Sequence, residues 1–148
     1  PMVIRNTPSA RPWNGMVIEG LLRYGYRTEA AELFSRQMAA TVQNLKRERG
    51  FRQFYHAESG AGMGERDHLW GLPSPNLFLR IAGLEILAPG ELIVRDFNPF
   101  PWPVTVKYQR MSVIRDGDKT TLYLPGRPPQ NLSGREARRI SLSGAKPL

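Results

Sequence analysis

Two stretches of the chain gather side chains that a packed core does not require. One is Trp13-Asn14. The other runs from Gln53 through Tyr55, Glu58, Glu65, Asp67 and His68 to Trp70. Aromatic rings beside amides and carboxylates are the groups that hold sugars, and glycosidic bonds are cleaved by paired carboxylates. Each residue also has a plainer reading. Trp13 and Trp70 could be helix-packing aromatics, Asn14 an N-cap, Glu58 and Asp67 loop carboxylates, and His68 a hydrogen-bonded structural residue. Within the second stretch lies Ser59-Gly60-Ala61-Gly62-Met63-Gly64, with glycine at alternate positions. Such glycines permit backbone conformations and close approaches that side chains would block. A phosphate cradle needs a strand–loop–helix context and usually a Lys. This loop runs into Glu65-Arg66-Asp67 instead, which argues against phosphate.

The elements that must position these groups follow from periodicity. Val17, Ile18, Leu21 and Leu22 recur at helical spacing after Asn14, which can cap the first turn, and Gly25 can end that helix in a left-handed conformation. Thr28 can cap a longer helix whose apolar stripe is Ala31, Phe34, Met38, Val42 and Leu45, stopped by Gly50. So short a link makes residues 14–49 an antiparallel helical hairpin. Phe51–Tyr55 has strand character, and Pro75 can sit in the first turn of a third helix reaching Ile81. After Gly90 the period becomes two, over 91–95, 104–108, 111–115 and 120–124, with Asp116-Gly117-Asp118 as a hairpin turn. The last residues are Pro-, Ser- and Arg-rich, with one strand expected near 139–142 and an otherwise irregular tail. The expected class is α+β: a helical portion over 1–89, then a small antiparallel β subdomain over 90–148.

The order of residues in these two stretches is that of a known group. Pro12-Trp13-Asn14-Gly15-Met16-Val17-Ile18-Glu19-Gly20-Leu21-Leu22-Arg23-Tyr24-Gly25 resembles the last inner helix of six-hairpin, (α/α)6-barrel glycoside hydrolases of the trehalase, mannosylglycerate hydrolase and family 63 group. The segment from Gly50 to Gly64, closed by His68-Leu69-Trp70, resembles that group's Phe-x-Glu-Tyr-Tyr-x-x-x-Thr-Gly-x-Gly-x-Gly motif with its final aromatic-x-Trp. The resemblance covers residues 10–85, and the later strands look more loosely like the small β-structure some of these enzymes carry. It implies a piece of an α/α toroid acting on an α-linked sugar by inversion. Trp13 and Trp70 would stack on rings, Asn14 and Gln53 would hydrogen-bond hydroxyls, Tyr55 would line the pocket with Glu65 binding substrate, and Gln53 would stand where the general base is expected. An amide cannot take a proton from water, so Glu58, Glu65 or Asp67 would have to substitute. The group's general acid belongs to an earlier hairpin that these residues do not include. The resemblance therefore implies a chain inactive alone, completed by missing N-terminal hairpins or by a second copy covering its exposed flanks.

Composition bounds the alternatives. Of 148 residues, 41% are hydrophobic and 23% charged, as in an ordinary globular domain. The absence of Cys removes thiol chemistry and thiolate metal sites and fits a cytoplasmic location, while two His leave little for a metal, so no metal and no cofactor is expected. No apolar run is long enough to span a bilayer, and no secretory leader is evident. The net charge of +8 raises nucleic acid as a partner. The acidic middle and the lack of aromatics among Arg135, Arg138 and Arg139 weigh against it. A non-catalytic carbohydrate-binding or structural assembly module is the nearer alternative.

Overall fold

Gly25 does what its position requires. With a φ of 84°, it lets its N–H reach the Leu22 carbonyl (3.3 Å) while that of Tyr26 reaches Leu21 (2.8 Å), and this paired C-terminal cap closes helix α1 (Arg11–Arg23). The chain turns at once into α2 (Arg27–Glu48), and the two helices pack as the expected hairpin. The structure, a computed structural model, describes residues 8–68, 72–141 and 144–147. It divides into two compact units between Leu77 and Phe78. Three helices and small antiparallel sheets make the chain α+β.

The first unit corrects several details. Helix α1 begins three residues before Asn14, which therefore lies inside the helix rather than capping it. Tyr26, not Thr28, occupies the N-cap of α2 and makes no side-chain cap bond. At the other end Arg49, with a φ of 53°, takes the left-handed cap position ahead of Gly50. The buried face of α2 is Arg27, Ala30, Ala31, Phe34, Gln37, Thr41 and Asn44. At about 100° per residue, the apolar stripe read from sequence is rotated from it by roughly 60–70°. Val42 and Leu45 are 41% and 40% exposed in consequence, along with Met16 and Val17 of α1.

The glycine-rich stretch is a hairpin rather than an open loop. Strands β2 (Arg52–His56) and β3 (Gly62–Arg66) pair antiparallel, and β1 (Pro8–Ala10) adds to the other edge of β2, giving the order β1-β2-β3. The register slips between Arg52 and Phe54, where Gly64, at a φ of 72°, supplies the extra residue of a bulge. A side chain at Gly64 would press on Gln53 and the Phe54 ring, so glycine is needed there twice over.

The second unit opens with the end of α3 (Pro75–Ile81), whose range matches the expected third helix closely. Leu84–Ala88, expected to continue the helical portion, is instead a strand, β4. It pairs with β5 (Glu91–Val94) across a turn at Pro89-Gly90, the position of the expected domain boundary. Strands β6 (Val104–Tyr108), β7 (Met111–Asp116) and β8 (Lys119–Tyr123) follow the expected ranges nearly residue for residue. The tail is not irregular: β9 (Gln130–Ser133), β10 (Arg138–Ser141) and β11 (Gly144–Pro147) complete two four-stranded antiparallel sheets, ordered β6-β7-β8-β9 and β11-β10-β5-β4. Both sheets feed one core of Leu84, Leu92, Val94, Met111, Val113, Leu122, Leu124 and Ile140.

The alternation that buries Met111 and Val113 also buries Arg115, which is 0% exposed. Its guanidinium reaches main-chain oxygens of two neighbouring segments. It donates to the carbonyls of Ala82, Arg95 and Asp96 and to Thr120 Oγ1, its cross-strand neighbour, at 2.6–3.2 Å. That cation joins the end of α3, the segment after β5 and the β7–β8 hairpin.

Candidate functional site

The pairing of β1 with β2 builds the site. Pro8, Ser9 and Ala10 lie opposite His56, Tyr55 and Phe54, and α1 starts at the next residue. The chain therefore leaves β1 opposite Phe54, so α1 starts beside the middle of β2, and α2 returns alongside α1. The result is a half-open cavity of about 740 Å³ lined by Asn14 from α1, by Leu33, Arg36, Gln37, Ala39, Ala40 and Gln43 from α2, and by Tyr55 through Gly60.

The wall formed by residues 56–60 is held from three directions. Main-chain bonds run from His56 N–H to Ala61 O (2.8 Å) and from Gly60 N–H to His56 O (2.9 Å). The imidazole Nδ1 of His56 accepts from the N–H groups of Glu58 and Ser59 at 3.3 and 3.2 Å, and Ser59 Oγ accepts from Ala61 N–H. From α2, the fully buried Asn44 donates to Gly60 O (2.8 Å) and accepts from Gly62 N–H (3.0 Å). A wall fixed in this way loses little freedom when a ligand arrives. Tyr55 is buried beneath it, its hydroxyl accepting from Arg52 N–H at 2.9 Å.

Of the residues singled out from sequence, Asn14, Tyr55 and Glu58 come together in this cavity. Gln53 does not line it; its side chain lies over Gly64 in the hairpin. Glu65 is exposed, 3.9 Å from His68 Nε2. Asp67, at a φ of 56°, closes the base of the hairpin, where its N–H donates to Phe51 O (2.7 Å) and its carboxylate accepts from Phe51 N–H. The side chain of Trp13 and the whole of Trp70 lie outside the described residues.

Sequence reasoning did not assign Arg36, Gln37, Gln43, His56 or Ser59 to the site. The signal for the helical members was present: polar Gln37, Thr41 and Asn44 recur every three or four residues, the spacing of a face that packs. Among the described residues Glu58 is the single carboxylate of the lining and Arg36 its single guanidinium, and the two form no ion pair with each other.

Elsewhere several charges are paired. Arg47 and Arg52 both bind Glu48, Arg95 binds Glu85, Arg135 binds Asp118, and Arg139 binds Glu91. The carboxyl of Glu48 is held below its ordinary pKa, first by the hydrogen bond from Arg47 and then by that from Arg52. Among the described residues no group of three His, Asp or Glu is placed to hold a metal ion. No helix among them is long and apolar enough to cross a membrane. No family model, curated protein or solved structure matches this chain.

Proposed function

We propose that this chain is a carbohydrate-binding part of a six-hairpin glycoside hydrolase-like protein, engaging an α-linked sugar without hydrolysing it alone. One observation carries the reading: Asn14 and the 55–58 segment, drawn from the two stretches that resemble that group, line a single cavity with Gln37, Gln43 and His56. Amides, an imidazole and a tyrosine supply the donors and acceptors that sugar hydroxyls need. Hydrolysis requires two carboxyl groups, about 6.5–9.5 Å apart when the outcome is inversion. Among the described residues the lining holds only Glu58. The exposed Met16, Val17, Val42 and Leu45 are surfaces that neighbouring hairpins of such an assembly would cover.

The test is a titration of the isotope-labelled chain with trehalose and with maltotriose, followed through its backbone amides. Saturable shifts centred on Asn14 and Tyr55–Gly60 support the reading. Shifts elsewhere, or none with any α-linked sugar, refute the binding role. Turnover of trehalose by the pure chain refutes its non-catalytic half.

A further inference from the structure

We infer that His56 is the cavity's directional hydrogen-bond donor, held as the neutral Nε2–H tautomer by its own turn and presenting that proton to an oxygen of the ligand. This rests on the carbohydrate reading above and names one contact within it. Two N–H groups, from Glu58 and Ser59, point at Nδ1. A nitrogen that accepts these bonds carries no proton, and a neutral imidazole then bears its hydrogen on Nε2. His56 lines the cavity, and no described residue accepts from Nε2 within hydrogen-bond distance. The polar atom His56 retains for a ligand is therefore a donor. Its complement is an acceptor: a hydroxyl, ring or glycosidic oxygen.

The same geometry makes the residue serve two roles that substitutions can separate. Asparagine keeps an acceptor two bonds from Cβ and closes the same kind of turn onto the N–H two residues ahead, but it lacks the distal donor. Glutamine places its amide further out, restoring a distal donor while giving up the acceptor close to the backbone. Long-range nitrogen–proton correlations on the wild-type imidazole report the tautomer with no ligand present. Titration with maltotriose then compares wild type, His56→Asn and His56→Gln.

The Nε2–H tautomer is expected. His56→Asn should keep the amide shifts of Glu58 and Ser59 close to wild type yet bind maltotriose about threefold to tenfold more weakly, the worth of one neutral hydrogen bond. His56→Gln should shift those two amides and speed their hydrogen exchange. An Nδ1–H tautomer, or wild-type affinity in His56→Asn, overturns this inference alone. A wild-type protein that answers to no sugar overturns it together with the reading beneath it.

Discussion

Replacing Arg115 by Met tests whether a buried cation that donates to main-chain carbonyls can hold a small β-unit together. The exchange conserves much of the side chain's bulk while deleting every donor. Two effects oppose each other. Burying a guanidinium is costly, and a buried ion pair exchanged for well-packed apolar residues is often no loss. Here, however, the partners are main-chain carbonyls of Ala82, Arg95 and Asp96, together with the Thr120 hydroxyl, and substitution leaves the carbonyls in place. Each acceptor stranded in a buried site costs about 1–3 kcal/mol. Allowing for the recovered desolvation of the cation, the net loss should be about 3–5 kcal/mol, the range seen when one member of a buried charged network is removed. That is a large share of the roughly 5–15 kcal/mol that keeps a domain folded. Urea unfolding followed through the amides of β6–β8 would measure it. Arg115→Lys, which keeps the charge but loses the planar fork, should fall between Met and wild type. A Met variant within about 1 kcal/mol of wild type would refute the reasoning, since it would show that the stranded carbonyls find other donors at little cost.

Three further outcomes follow from the first unit. Gly64→Ala should destabilise the β2–β3 hairpin by about 1–2 kcal/mol through its left-handed backbone, seen as faster amide exchange across residues 52–66. Glu48→Gln should lower the thermal midpoint at neutral pH. Because the folded-state pKa of Glu48 is depressed, its contribution is full above the ordinary Glu range and is lost as pH falls through the lowered value, so variant and wild type should converge in acid. Asn44→Ala should cost about 2–3 kcal/mol as the Gly60 carbonyl and Gly62 N–H lose their partner, whereas Leu45→Gln should stay within about 1 kcal/mol. Chemical denaturation of the last pair checks it, and the reverse ordering would mean that the sequence-read stripe, not the polar face, packs inward.

The end of α1 and the alternating strands were legible because they depend on local chemistry. Gly25 needs no knowledge of distant residues to terminate α1, and β6 to β8 alternate strictly around a tight turn. Four features were not legible from local pattern: the face α2 buries, the strands at 84–88, 130–133 and 144–147, the place of Arg115, and the hairpin hidden in the glycine stretch. Each is decided by a partner far along the chain. Asn44 reads as a surface amide until Gly60 and Gly62 fold over it, and Arg115 reads as a solvated strand cation until Ala82 and Asp96 arrive. Within the site, Asn14, Tyr55 and Glu58 were visible as residue types out of keeping with a core. Arg36 and Gln43 were not, because the apolar stripe points about 60–70° away from the face that α2 buries.

The rotation of that buried face bears on how the cavity wall is held on so small a unit. An apolar interface would pack α2 against the β2–β3 hairpin without fixing direction, whereas the Asn44 amide accepts bonds only at defined angles and distances. It pins Gly60 and Gly62 to one helical position, and the turn anchored there carries His56, Glu58 and Ser59 along one wall of the cavity. The same choice places Val42 and Leu45 outward, where they contribute little to the unit's own stability. In a helical assembly of the proposed kind those positions would be free to pack against a neighbour while the opposite flank of α2 lines the cavity. One helix would then join the assembly through its apolar stripe and shape the ligand wall through its polar face, and a substitution on one flank should leave the other's function intact.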